Sequence, residues 1–149
     1  MNTELIRKLK AMRPQIRARW EALLRIARMN TPLANPDTLV FMFDPTLDAV
    51  LAALPGHAVR SVGPRPTCRF ANNPMRVYFT ALEQALLEAL ILAQSSIVKP
   101  QSVPHAAIVA ERMADANELN ATVRRIARSE IKTLDQICQP QVRPLKSRT

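Results

Sequence analysis

The segment from His57 to Asn73 holds the residue types best suited to ligand or catalytic chemistry. It lies between predicted helices, has no hydrophobic periodicity and contains Gly63, Pro64 and Pro66, so we predict a long loop. Connections of this length in a compact domain are usually functional or disordered. The loop carries three arginines and no acid, and another arginine follows in the first turn of the next helix.

Arginines that converge on the free N–H groups of a helix N-terminus form an anion site. Asn73-Pro74 begins a helix directly after the loop, so the pattern predicts a site for a phosphate, a carboxylate metabolite or a nucleotide. The alternative is a solvated loop whose arginines never converge. The candidate ligand-binding residues are Arg60, Arg65, Arg69, Arg76 and His57.

Cys68 and His57 are the residue types of an acyl-transfer pair. They stand eleven positions apart, and the loop has no acid to orient the histidine, so we predict no catalytic site. A metal site that adds His105 and Cys138 has suitable atoms without motif spacing. Two glycines leave no material for a P-loop or a dinucleotide fingerprint. We therefore predict no metal and no cofactor.

The first 28 residues combine an apolar stripe with a basic face, as an amphipathic helix does. Because the stripe keeps its phase across Pro14, we favour a kinked or nearly continuous helix. The alternative is a helix that ends near Met12 and a second with Pro14 in its first turn. The stripe is Leu5, Leu9, Met12, Ile16, Trp20, Leu23 and Ala27.

The basic face suits solvent, a nucleic acid, an anionic membrane surface or an acidic protein. A nucleic-acid interaction would weaken steeply with salt. The chain has no recognisable helix-turn-helix, and few aromatics for stacking on single strands. The residues that would bind the nucleic acid are Arg7, Lys10, Arg13, Arg17, Arg25 and Arg28, with Arg143, Lys146 and Arg148 assisting.

Composition and periodicity predict an all-α fold. The chain has 149 residues, 48% of them hydrophobic, and a net charge of +9, which fits one domain with a real core. We predict a single bundle of about five helices over residues 1–138 and a disordered basic tail over 139–149. The long Pro/Gly/Arg loop interrupts the bundle.

The predicted helices after the first 28 residues begin at proline boxes. We predict short helices over Leu39–Phe43 and Pro45–Leu54, a central helix from Pro74 to about Val98, and a helix from about His105 to Cys138. In the last of these, early acids and late bases complement the helix dipole. Its predicted core side is Val109, Met113, Ala116, Leu119, Val123, Ile126, Ile131, Leu134 and Cys138.

The compartment and partner signals are weaker. No stretch approaches the roughly 18 to 20 apolar residues of a membrane span, and no signal-peptide core is present. Two cysteines do not make the disulfide framework of a secreted protein, so we predict a cytoplasmic protein.

The long helices exceed what one small domain needs, and we predict that the excess packs against a second copy. Exposure of Leu5, Leu9 and Met12 in the monomer would support this homodimer.

Three function classes follow. The leading one is a non-enzymatic regulatory or protein-interaction module that holds an anionic small molecule or an acidic partner through the arginine loop. The alternative is the nucleic-acid-binding protein described above. The third is an enzyme that uses Cys68, which predicts thiol labelling at neutral pH.

Overall fold

The computed structural model describes residues 1–27, 36–54, 74–98, 100 and 102–138. Helices account for nearly all of this part, and it contains no strand. The predicted all-α bundle is therefore confirmed. The helices are α1 (Thr3–Ala11), α2 (Arg13–Ile26), α3 (Pro36–Ala53), α4 (Pro74–Ser95) and α5 (His105–Cys138).

The N-terminal rod is divided into α1 and α2 at a single residue. Asn2 caps α1, because its side chain accepts the Leu5 N–H at 2.8 Å. Met12 joins the helices and donates its N–H to Lys8 O at 3.0 Å, and Pro14 stands in the first turn of α2. The rod thus consists of two helices, as in the alternative, but backbone hydrogen bonds continue through Met12, so it stays nearly continuous. Proline has no N–H to continue the ladder, but it fits a first turn.

Helix α3 is continuous, so the predicted division into two short helices is wrong. Pro45 lies inside the helix and is exposed. A proline inside a helix costs about 3 kcal/mol, whereas each fully buried Leu, Val or Phe contributes about 1.5–3 kcal/mol. The buried stripe therefore holds the helix together across the proline. It consists of Phe43, Leu47, Val50, Leu51 and Leu54.

Helix α4 is the central element, as predicted. It packs against α1, α2 and α5. Not all of its apolar side chains are covered, since Leu92 is 62% exposed. The buried residues of α4 are Met75, Tyr78, Phe79, Ala81, Leu82, Ala85, Leu86, Ala89, Leu90 and Ala93.

By length and composition alone, α4 could also cross a membrane. Its segment Met75–Ser95 has a mean hydropathy of 1.2, and 56% of the scored window is buried inside the bundle. A core helix that is covered on several sides needs the same composition. Helix α4 thus meets a criterion that we did not expect any stretch of this chain to meet.

An aromatic cluster joins α2, α3 and α4. The Trp20 ring lies 4.6 Å from Phe43 and 4.5 Å from Tyr78, between ring centroids. Trp20 Nε1 donates to the Tyr78 carbonyl at 2.9 Å, and the Tyr78 hydroxyl donates to Thr46 Oγ1 at 3.3 Å. Burial raises the pKa of Tyr78. The polar tips of both rings are satisfied, as buried Trp and Tyr require.

Helices α4 and α5 are antiparallel and of unequal length. Gln94 Nε2 donates to Asp115 Oδ2 at 3.2 Å, and Arg124 Nη2 donates to Glu83 Oε1 at 2.9 Å. Ser95, the last residue of α4, therefore lies level with the residue before Asp115. Helix α5 begins ten residues before Asp115, so more than two turns of it extend past the end of α4.

This overhang, residues 105–114 of α5, shows that the predicted core side of α5 is partly wrong. Leu119 and Val123 are buried as expected, but Val109 is 44% exposed and Met113 is 60% exposed. The periodicity is helical throughout, yet the neighbouring helix ends before it can cover the first turns. Ala116, Ile126 and Ile131 are half-buried, and the side chains of Leu134 and Cys138 lie outside the described residues.

Candidate functional site

The predicted anion site lies mostly outside the described residues. Arg76 is exposed in the first turn of α4. Whether it meets the loop arginines stays a prediction, and the same holds for any reaction at Cys68. The candidates beyond the described part are His57, Arg60, Arg65 and Arg69.

Several cations of the N-terminal basic face are paired within the molecule. Arg13 donates through Nε to Asp48 Oδ1 at 2.7 Å and through Nη2 to Asp48 Oδ2 at 3.0 Å. The same guanidinium lies 2.9 Å from Asp44 Oδ1, and Arg17 also pairs with Asp44. The Arg13 hydrogen bond lowers the pKa of Asp48. Helix α3 thus neutralises this part of α2.

Further along the rod, Arg19 forms a two-pronged pair with Glu88 of α4. Its Nε donates to Oε2 at 2.6 Å and its Nη2 to Oε1 at 2.9 Å, which lowers the pKa of Glu88. Lys8 Nζ donates to Ser96 Oγ at 2.7 Å, and Arg25 donates to Glu21 at 2.8 Å.

Three of the six proposed nucleic-acid residues therefore already have acidic partners. They are Arg13, Arg17 and Arg25. Arg7 and Lys10 are exposed, and Arg28 lies outside the described residues. The sequence contains a signal for this pairing. Residues 1–29 have eight Lys/Arg and two Glu, net +6, whereas residues 30–58 have three Asp and no Lys/Arg, net −3.

The second half of α5 carries a different set of cations, which sequence reasoning attributed to the helix dipole. Helix α5 has no acid in its first turn and no base in its last turn. Since the dipole effect fades within one turn, it explains little of the charge order. Arg125, Arg128 and Lys132 are exposed, and within the described part of the chain they form no ion pair.

The hairpin end of α4 and α5 carries exposed apolar side chains. Ile91 is 61% exposed and Val98 is 93% exposed, and Val109 and Met113 of the overhang are exposed as well. We call these four residues the hairpin face. Asn120 follows Met113 by seven residues, on the same side of α5. Its buried Oδ1 has no hydrogen-bond donor among the described residues.

The start of α1 is fastened to α5 by a charged cluster. The amino group of Met1 pairs with Glu118 and lies 3.5 Å from Asp115. The hydrogen bond that this amino group donates to Glu118 raises its pKa. Asp115 is buried, yet it has two partners because Gln94 also donates to it. Paired in this way, the carboxylate acts as a structural link.

Two further observations concern metal binding and similarity to known proteins. Over the described residues, no group of three or more His, Cys, Asp or Glu side chains is arranged to hold a metal ion. Comparison of the chain with protein-family models, with curated proteins and with solved structures gives no match.

Proposed function

We propose that this chain is a non-enzymatic protein-interaction module that docks a second copy of itself through the hairpin face. The observation that carries the proposal is the exposure of Ile91, Val98, Val109 and Met113 on adjoining elements. Single exposed apolar residues are normal, whereas a contiguous group marks an interaction surface.

The overhang of α5 also lacks packing for its own stability. From His105 to Ala114 no side chain is buried, and only Ile108 is half-buried. Short helices are marginal in water, and most helix stability in proteins comes from packing of an apolar face. A partner that covers Val109 and Met113 supplies this packing.

The charge pattern favours a second copy over an acidic partner. A chain of net charge +9 repels its own copy, unless the contact is made through an uncharged face. In a two-fold interface each residue near the axis meets its own counterpart, so any charge there meets a like charge. The exposed side chains three, four or seven positions from Met113 on α5 carry no charge; they are Ala106, Val109, Ala110 and Asn117. The charged Glu111 and Arg112 are exposed beside them.

The α4 side of the hairpin face carries one charge, which is already paired. Around Ile91, the positions one turn before and one turn after are Leu87, Glu88, Gln94 and Ser95, and Glu88 forms an ion pair with Arg19. An isologous pairing of the two hairpins gives a four-helix arrangement with short apolar contacts.

The homodimer rests on a different surface from the one expected from the sequence. Leu5 is 1% exposed and Leu9 is fully buried, so the N-terminal stripe offers no support for it. These leucines pack inside the bundle with α4.

Sedimentation velocity over a wide concentration range tests the proposal. The wild-type chain should form a dimer that dissociates on dilution, and Ile91→Glu/Met113→Glu should be a monomer at every concentration. The matched control is Ile26→Glu/Phe41→Glu, which places the same two charges at exposed apolar positions of α2 and α3 and should remain a dimer. A monomeric wild-type chain, or equal dissociation of both variants, would rule out docking at the hairpin face.

A further inference from the structure

We propose that the second half of α5 binds the phosphate backbone of a nucleic acid. The residues concerned are Arg125, Arg128 and Lys132, which we call the α5 basic face. They follow one another at steps of three and four, so they share one side of the helix. All three are exposed and form no ion pair in the described part of the chain. The proposal is independent of the dimer.

Arg76 extends this face across the seam to α4. The Glu83–Arg124 ion pair fixes the antiparallel register. Arg76 lies seven residues before Glu83, and Ile131 lies seven residues after Arg124, so Arg76 is level with Ile131, the residue before Lys132. The exposed Arg76 is the one candidate of the predicted anion site that the structure describes.

Two acids lie near this stretch in sequence. Glu130 is half-buried and, five positions after Arg125, lies on roughly the opposite side of α5 from that arginine. Asp135 follows Lys132 by three residues, and its side chain lies outside the described residues. The three cations of the α5 basic face and Arg76 therefore outnumber the one acid near them in sequence on the same side, Asp135.

The composition of the face favours nucleic acid over a protein partner. Protein interfaces have an apolar centre from which charges are depleted, whereas nucleic-acid interfaces are polar and strongly positive. The α5 basic face has exposed Ser129 and Thr133 beside it and none of the exposed large apolar side chains of the described chain. Arginine also matches phosphate geometry in two-pronged contacts.

A membrane surface fits this face less well. A helix that lies in a bilayer interface inserts an apolar side into the lipid. The apolar side of α5 is already used, because Leu119 and Val123 are buried in the bundle. Since the contact is made to phosphates and not to bases, we expect little sequence preference.

Fluorescence anisotropy of a labelled, mixed-sequence DNA duplex across a salt series tests the inference in the full-length chain. Arg125→Gln/Arg128→Gln/Lys132→Gln should weaken binding about tenfold, and the slope of log K against log salt should become shallower by about 2–3. Circular dichroism checks that the helices of each variant remain folded.

The matched control is Arg7→Gln/Lys10→Gln/Arg112→Gln, which removes the same three charges from exposed positions elsewhere. It should keep most of the wild-type affinity and the full salt slope. Equal weakening by both variants would show an effect of net charge alone and overturn the site. Greater weakening by the control would return binding to the N-terminal face. Absence of wild-type binding, or tighter binding to phosphatidylserine vesicles than to DNA, would also overturn it.

Discussion

The rod of α1 and α2 and the long helix α5 look alike in sequence, since both combine an apolar stripe with many cations. In the fold they differ. Leu5, Leu9 and Trp20 are buried in the bundle, and Arg13 and Arg19 are paired with acids of α3 and α4. The rod therefore buries or pairs these side chains within one molecule, although Arg7, Lys10 and Ile26 stay exposed.

Helix α5 is left incomplete at two places. Its first turns expose Val109 and Met113, and its second half exposes Arg125, Arg128 and Lys132. Amphipathicity and charge thus do not by themselves locate a binding surface. We propose that binding surfaces lie where the rest of the fold leaves such side chains without a partner.

The largest expected effect compares one apolar residue of each helix. Trp20→Ala should lower the free energy of unfolding by about 3–5 kcal/mol, because it opens a cavity inside the aromatic cluster. Met113→Ala should change it by no more than about 0.5 kcal/mol, since 60% of that side chain is exposed. Urea denaturation at a concentration low enough for monomers measures both. A loss at Met113 comparable to that at Trp20 would place the overhang in the core.

Much of the fold could be predicted from the sequence, because local signals fix where a helix begins and ends. The Asn-Pro boxes mark the starts of α3 and α4, and the periodicity gives both ends of α5. The core of α4 follows from its wide apolar face. The division of the rod into α1 and α2 was harder to predict, because an apolar stripe that stays in phase across Pro14 fits one helix as well as two.

The candidate surfaces were not predictable in the same way. Periodicity places Val109 and Met113 on the apolar side of α5, but it does not reveal that α4 ends too early to cover them. Likewise, the basic side of the rod is visible in the sequence, while its neutralisation depends on Asp44 and Asp48 of α3 lying across it. Both features depend on relative helix positions, which one sequence specifies only through packing.

Acid pH is expected to lower the stability of the fold by an intermediate amount. In the folded chain the pKa values of Asp48 and Glu88 lie below their ordinary values of 3.8 and 4.5, because Arg13 and Arg19 donate hydrogen bonds to them. The unfolded chain therefore binds protons more readily. The stability from these pairs is complete above the ordinary values and is lost as pH falls through the lowered ones.

The measurement is the urea midpoint from neutral pH into acid. Arg13→Gln/Arg19→Gln should start lower than the wild-type chain, lose less stability in acid and converge with it at low pH. The control Arg125→Gln/Arg128→Gln, which removes two unpaired cations of α5, should keep the wild-type acid loss. Parallel curves for all three proteins would mean that the rod's ion pairs contribute nothing to folding.

The smallest expected effect is an increase in stability. Arg128 lies three residues after Arg125 and four before Lys132, and like charges at these spacings destabilise a helix by about 0.2–0.5 kcal/mol per pair. Arg128→Gln should therefore raise the melting temperature slightly at low salt, and the gain should fade at high salt because the repulsion is screened. The matched control is Arg124→Gln, which breaks the ion pair with Glu83 and should give no gain. A variant that is more stable and binds DNA less tightly identifies a cation kept for binding at the expense of stability, whereas a loss of stability in Arg128→Gln would show that this arginine has a structural partner.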